Sequence, residues 1–362
     1  MEAPLGGTVQ SRVLWVRILY SSFFSERCGI MLLHVNQQGY LQTGQTTCHD
    51  VSGMQVSCAG SGQDAEFQRG LAWPTPRFQP RGEVVFDQLT GLTWTTDANP
   101  SVYPLNWQEA FVYVSQMNGG KAFGYSDWRL PNRRELRSLV SHQTKRPVLP
   151  DGHPFRNVFP SWYWTSTSAA INPAYGWYVN LDGGRMFYGG KFQYYFLWPV
   201  RGEGNGTLPS SGQILCYDEK GKIVSCEGSG QDGELRRGNS WPQPRFEVSA
   251  SLVTDRLTGL CWQRTADLAR REVSWSEALA AVNDLGDPWR LPNINELESL
   301  VDCSKHSPAL PSKHPFKEVR EAYWSSTTSM FEPDWAWALY LTKGAVGVGQ
   351  KRGAHFHVWA VC

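Results

Sequence analysis

The chain has 362 residues with 34 Lys and Arg against 33 Asp and Glu, a formal net charge of +1, and 41% hydrophobic residues. A charge so near zero argues against a nucleic-acid binder working by phosphate neutralisation, and no apolar run reaches the ~18 residues of a membrane helix. With 35 Gly, 22 Pro and 13% aromatic residues, the composition points to short strands and long ordered loops over an aromatic core.

Residues 1–39 have no counterpart later in the chain. Residues 13–20, Val-Leu-Trp-Val-Arg-Ile-Leu-Tyr, are apolar but interrupted by Arg17, and no small-x-small cleavage site follows. Two readings stay open: a degenerate export signal, or a poorly structured extension from a misassigned start before Met31. From residue 40 onward the chain repeats itself. SGQD, WPTPRF, DQLTGLTW, WRLPNRREL, HPF and YWTST return as SGQD, WPQPRF, DRLTGLCW, WRLPNINEL, HPF and YWSST. Cys48 and Cys216 open matching segments 168 residues apart, too far for a solenoid and about right for a whole domain. The expected division is a first domain over 40–201, a flexible Gly-rich linker over 202–212 and a second domain over 213–362.

Each copy begins with two cysteines ten residues apart, Cys48 and Cys58, then Cys216 and Cys226, around a central glycine suited to a hairpin turn. A disulfide across each hairpin is expected, worth roughly 2.7 kcal/mol from loop closure. An extended Trp-Pro-x-Pro-Arg-Phe follows, and residues 84–87 lead through a turn into a strand at 91–94. The next element is a helix with a capping box, Asn106 with Glu109 in the first copy and Ser274 with Glu277 in the second. Its apolar face is Trp107, Ala110, Phe111, Val114 and Met117, or Trp275, Ala278, Leu279, Val282 and Leu285. A short strand at 127–130 ends at Pro131, after which Asn132 and Glu135, or Asn293 and Glu296, cap a second helix. From Tyr163 or Tyr323 the pattern alternates as strands, with Trp177, Val179 and Leu181 on one side and Tyr178, Asn180 and Asp182 on the other. The predicted fold class is α+β, each domain having two helices, a small mostly antiparallel sheet and long loops.

A third bridge emerges only from comparing the copies. Cys303 aligns with His142 and Cys362 with Arg201, and joint presence against joint absence predicts a Cys303–Cys362 disulfide. Two separately buried thiols are the alternative. Cys261 replaces Thr93 in an apolar motif and reads as a small core residue. Three bridges would place the protein in an oxidising compartment, secreted, periplasmic or at the cell surface.

These motifs resemble the Lcl C-terminal domain family, long labelled a domain of unknown function. The matching stretches are TGQTTC, SGQDAEFQ, WPTPRF, LTGLTW, DWRLPNRRELRSLV, LPDGHPF, YWTSTS and FLWPVR, with their second-copy partners. The resemblance implies tandem C-type-lectin-like domains and an extracellular or surface binding role, illustrated by adhesion to sulfated polysaccharide. The chain lacks the Gly-X-Y stalk of the adhesin that gives the family its name, so stalk-driven trimerisation is not implied.

Fourteen of the 17 tryptophans pair between the copies, from Trp73 with Trp241 to Trp198 with Trp359, and therefore read as framework. Divergence concentrates after the YW-S-T motif, and that is the candidate ligand surface. The first copy offers Asn172, Tyr175, Asn180, Asp182, Arg185, Tyr188, Lys191, Gln193 and Tyr194. The second offers Glu332, Asp334, Trp335, Tyr340, Lys343, Gln350, Lys351, Arg352 and His355. Such mixtures of aromatic area with donors and acceptors suit adaptable recognition of a glycan or protein. Loop drift on a solvated surface is the competing reading. No cofactor is expected. Asp64 and Glu66, matched by Asp232 and Glu234, could offer oxygens to calcium, but two carboxylates fall short of six ligands and loop hydrogen bonding is the preferred reading. His355 and His357 share a strand face without a third metal ligand. No GxSxG, HExxH, P-loop or dinucleotide fingerprint is present, so the chain reads as non-enzymatic. A structural envelope protein is the runner-up, and a cysteine enzyme resembling formylglycine-generating enzymes the third.

Overall fold

A computed structural model describes residues 39–362; the N-terminal extension, Cys28 and Trp15 lie outside that range. The first copy opens with β1 (Cys48–His49), β2 (Gln55–Val56) and a single helical turn, α1 (Asp64–Phe67). It continues with β3 (Phe78–Arg81), β4 (Val84–Asp87), β5 (Leu92–Thr95), α2 (Trp107–Gly119) and α3 (Arg133–Arg137). Strands β6 (Trp162–Ser168), β7 (Tyr175–Asn180), β8 (Met186–Gly190) and β9 (Val200–Arg201) complete it. The second copy repeats the series as β10 (Cys216–Tyr217), β11 (Ile223–Val224), α4 (Asp232–Leu235), β12 (Phe246–Ser249), β13 (Leu252–Asp255) and β14 (Cys261–Gln263). Helices α5 (Trp275–Asn283) and α6 (Ile294–Ser299) follow, then β15 (Ala322–Thr328), β16 (Trp335–Tyr340) and β17 (Ala345–Gln350).

The fold is mixed helix and sheet, with several small antiparallel sheets. All four predicted capping boxes form, each with the Asn or Ser side chain accepting the third helical amide and the Glu returning to the cap amide. The predicted strand at 127–130 is reduced to one bridge, Arg129 with Val200. Arg129 turns its guanidinium into the interior, onto both oxygens of Glu135. Arg290 and Glu296 repeat that pair.

Strands β6 to β8 and β15 to β17 form one antiparallel sheet in the order β15-β16-β17-β8-β7-β6, joined at its centre where Val346 faces Met186. The two copies thus share a sheet, and they also share a core. Trp94, Trp177 and Trp198 of the first belong to the same buried cluster as Trp262, Trp337 and Trp359 of the second. Of the paired tryptophans, only Trp73, Trp241 and Trp289 are not fully buried. Many indoles donate to fixed carbonyls: Trp107 to Thr165 O and Trp275 to Ser325 O, both at 2.8 Å. Where a buried indole has such an acceptor, the tryptophan and the strand that receives it are retained together; Trp94, Trp177, Trp262 and Trp337 are buried with no acceptor for the indole N–H among the described residues.

The cysteine hairpins are exchanged. The hairpin of the first copy docks on the second body, where Asp64 Oδ2 accepts from Thr327 Oγ1 at 2.7 Å and Gln45 Oε1 from the Thr328 amide at 2.9 Å. The second hairpin docks on the first body, with Asp232 Oδ2 accepting from Thr167 Oγ1 at 2.6 Å and Gln213 Oε1 from the Ser168 amide at 2.9 Å. The hairpin tips close the contact. A Cβ on Gly53 (φ +85°) would stand 2.9 Å from Asp334 N, and one on Gly221 (φ +80°) 2.7 Å from Ala174 N, so only glycine fits both the turn and the approach.

Two expectations need correction. Residues 202–212 do not behave as a flexible linker. Asn205 N donates to Thr90 O, Ser211 O accepts from Cys303 N and Ser211 is buried, because this stretch carries the second hairpin across to the first body. The Cys303–Cys362 bridge does not form. Disulfides join Cys48 to Cys58 and Cys216 to Cys226, as the spacing predicted. Cys362 is instead held beside β14 by a reciprocal backbone pair with Cys261, while Cys303 follows α6 into the shared core and remains an unbridged thiol.

Candidate functional site

The residues expected to form the ligand surface separate into three groups. Lys191 and Lys351 are interior. Lys191 Nζ donates to Tyr217 O and Asp218 O, both at 3.1 Å, and stands 3.8 Å from the centre of the Trp107 ring. Lys351 Nζ donates to His49 O, Asp50 O and Thr328 Oγ1 and stands 4.1 Å from the Trp275 ring. Each ammonium pins an exchanged hairpin to the body that receives it, and burial lowers each to about 7. They are corrected from contact residues to framework: the carbonyls they bind belong to the hairpin, so they leave the surface once it docks.

A second group is spent on turns and on the junction between copies. Asn180 accepts from the Asp182 amide, and Asp182 forms a two-point ion pair with Arg146. Asn172 accepts from the Ala174 amide beside the tip of the second hairpin. Asp334 accepts from Gln350, and its backbone meets Gly53. Arg185 reaches Glu332 of the other copy at 3.8 Å, and Lys343 sits over Phe187 at 5.7 Å. Tyr340 donates to Val348 O, and Tyr188 packs edge-on against Trp177. Tyr175 and Trp335 are half-buried at matching strand starts.

The third group stays exposed. Tyr194 (61% exposed) and Gln193 lie beside Phe192 (74%), on a segment that pairs with residues 105–107 through Leu105 and Tyr195. That pairing places Tyr103 (74%) and Val102 on the same rim. In the second copy Val273 and Phe356 make the equivalent pairing, and the rim carries Arg270, Arg271, Arg352 and His355, all exposed. The scaffold position is the same, but one copy displays aromatic rings and the other cations. Val102, Tyr103, Phe192, Arg270 and Arg271 were not among the predicted residues. Their signal was available, since Val102-Tyr103 aligns with Arg270-Arg271 just before the first helix of each copy.

A groove of about 740 Å³ lies between α2 and the docked second hairpin, and two of its lining residues, Tyr217 and Asp218, are held through their carbonyls by Lys191, the neighbour of Phe192 in sequence. Gln108, Phe111, Val112 and Ser115 line one wall; Tyr217, Asp218, Val224 and Glu227 line the other. Its volume falls within the usual range for ligand sites. The carboxylates once weighed for calcium are otherwise engaged. Glu66 accepts from the Gly60 and Gly62 amides and Glu234 from Gly228 and Gly230, as loop hydrogen bonding predicted. Asp64 and Asp232 are raised to about 6 by burial, with threonine hydroxyls as partners. His357 Nδ1 lies 3.2 Å from Asp267.

The Lcl C-terminal domain matches residues 83–201 and 251–362, more than half of the chain. The protein belongs to the Lcl C-terminal domain family, as two tandem copies. The matched segments are the two bodies, and the exchanged hairpins fall outside them. No curated protein matches the chain. Among the described residues no helix is long and apolar enough to cross a membrane, and the two disulfides are compatible with an extracellular or periplasmic location.

Proposed function

We propose that this protein is a non-enzymatic binding protein working outside the cytoplasm, and that it recognises an extended glycan along the groove and aromatic rim of its first copy. The observation that carries this is the exposure of Tyr103, Phe192 and Tyr194 in the copy that also holds a groove of about 740 Å³ between α2 and the second hairpin. Large rings left in water on otherwise well-packed segments are unusual, and an aromatic face with a polar groove suits stacking plus hydrogen bonding of sugar rings. The basic rim of the second copy would add affinity for acidic groups on the same chain. The C-type-lectin-like character and surface adhesion that the family resemblance implies agree with this reading.

Cysteine catalysis by Cys303 or Cys261 is disfavoured. Burial pushes the Cys303 thiol up to about 12, so almost none is thiolate at neutral pH, and Cys261 is buried in β14. The test is a glycan array probed with the full chain and with Tyr103→Ala/Tyr194→Ala. Saturable glycan binding that weakens at least about tenfold in the variant is expected. No glycan binding, together with a discrete homo-oligomer by light scattering that the same variant dissociates, would replace this reading with the structural envelope protein.

A further inference from the structure

The capping asparagine, the glutamate and the leucine of α3 all return in α6, but three positions between them change character. Arg133, Arg134 and Arg137 align with Ile294, Asn295 and Glu298. The two helices meet at the junction of the copies, so three guanidinium groups of one converge on a single carboxylate of the other. Arg133 Nη2 lies 3.2 Å from Glu298 Oε1 and 2.7 Å from Gly344 O. Arg134 Nη2 donates to Val301 O, and its Nε stays 4.0 Å from Glu298. Arg137 Nη1 donates to Asn295 Oδ1 at 2.6 Å. The remaining arginines here, Arg77 and Arg245, are already matched by Asp87 and Asp255.

Three cations against one anion leave two positive charges uncompensated. Arg133 is 0%, Arg134 5% and Arg137 7% exposed, so these charges are interior. Arginine does not escape by losing its proton, and buried charge is costly unless paired. Burial lowers Arg137 only to about 10, which leaves it charged at neutral pH. Its Nε and Nη2 have no hydrogen-bond partner among the described residues, nor has Arg134 Nε. The first two form one edge of the guanidinium, the edge that grips two oxygens of a carboxylate, phosphate or sulfate at once. Arg134 and Arg137 line a cavity of about 40 Å³ between α3 and α6, with Asn295 and Glu298 opposite. That is room for about three waters. Water would satisfy donors but would not neutralise the charge.

We propose that this cavity is a binding site for a small tetrahedral dianion of the phosphate or sulfate class, gripped by the Nε–Nη2 edge of Arg137 and by Arg134. The bound ion would tie the two copies together at their junction. The cavity is too small for a glycan chain and lies apart from the groove, so this inference does not depend on the proposed function.

The test is calorimetric titration of the full chain with inorganic phosphate and with sulfate, at ionic strength held constant with sodium chloride, alongside thermal melting in each salt. Saturable binding and a raised melting temperature are expected for both dianions over chloride. Arg137→Lys keeps a charge but loses the two-point edge and should bind at least about tenfold more weakly. Arg137→Met should melt cooperatively in chloride and show no response to either ion. Glu298→Gln removes the competing carboxylate and should tighten binding by about tenfold. Absence of saturable binding in the parent chain, a response to acetate alone, or full retention of binding in Arg137→Met would each overturn the proposal.

Discussion

Helices α3 and α6 have the same cap, the same buried Arg–Glu pair and the same inward leucine, yet they differ at every position through which they touch each other. The hairpins behave in the opposite way. They also cross between copies, but Asp64 with Thr327 and Asp232 with Thr167 are the same interaction made twice. The difference separates two kinds of contact in a duplicated protein. A hairpin completes a body, and both bodies of this chain need completing in the same way, so its contacts repeat. The α3–α6 junction exists once, on the axis relating the copies, and only there is one helix free to become basic while its partner turns acidic.

If hairpins complete the opposite body, cutting the chain between copies should have the largest effect. A fragment covering 40–201 keeps the first body but leaves it without residues 208–239, and it exposes its own hairpin. Neither that fragment nor 202–362 should show a cooperative denaturation curve alone, while an equimolar mixture should recover one with a 1:1 mass. A cooperative transition for 40–201 by itself would show that the exchange is an accident of linkage, not a requirement.

The lysines sharpen the same comparison within the intact chain. Lys191→Met removes an ammonium from two hairpin carbonyls and Lys351→Met from two carbonyls and a hydroxyl. Charged hydrogen bonds are worth roughly 1.5–3 kcal/mol each and their buried acceptors are left unpaired, so with the pH held well below 7, where both lysines are protonated, a loss of about 3–4 kcal/mol is expected at each site by urea denaturation. The two losses should agree to within about 1 kcal/mol. A large effect at one and none at the other would break the equivalence of the two docked hairpins.

Much of the framework was legible because it obeys local rules that the repeat displays twice. The capping boxes, the hairpin disulfides and the scaffold role of the paired tryptophans all follow from spacing and aligned identity, whereas the pairing of the capping glutamates with Arg129 and Arg290 appears only in the structure. The exchange was not legible, since Thr327 and Asp64 match Thr167 and Asp232 equally well whether the hairpin docks at home or across. The same ambiguity explains the misplaced lysines. Lys191 aligns with Lys351, which marks framework, but both lie in a stretch whose neighbours diverge, and only the docked hairpin reveals what buries them. Cys303 misled for a related reason. Its alignment with His142 reflected a place in the core shared by the copies, where side chains of different size are accommodated, rather than a partner at Cys362.

Proton linkage gives a smaller and separable effect. Burial raises Asp64 from 3.8 to about 6. Between roughly pH 4 and 6 the folded chain holds a proton that the unfolded chain releases, so this group's stabilising contribution is complete below pH 4 and is lost as the pH rises to about 6. The ceiling is about 3 kcal/mol. His49 and His142, both lowered by burial, act in the opposite direction. The informative quantity is therefore the stability of the parent chain minus that of Asp64→Asn, which should fall by about 1–2 kcal/mol from pH 4 to pH 6. A difference that stays flat, or that rises with pH, would place an ionised carboxylate in the interface.

The smallest effect distinguishes the two helices of one copy. Ser274 and Asn293 are both N-caps, each accepting the third helical amide. Only Asn293 also uses its amide group, donating from Nδ2 to Arg69 O of the exchanged hairpin at 3.2 Å, and Asn132 does the same to Arg237 O at 3.3 Å. Replacing Ser274 by Ala should cost about 1 kcal/mol, the ordinary price of a lost cap. Asn293→Ser keeps a capping oxygen and removes only the reach to the hairpin, so any loss, expected at about 1 kcal/mol, belongs to docking. Amide hydrogen exchange tells the two apart: Ser274→Ala should speed exchange in the first turn of α5 alone, whereas Asn293→Ser should speed it in residues 64–71, more than 220 positions away in sequence. Were Asn293→Ser to loosen only α6, the cap and the hairpin would be independent, and the retention of asparagine at both second helices would have a purely local cause.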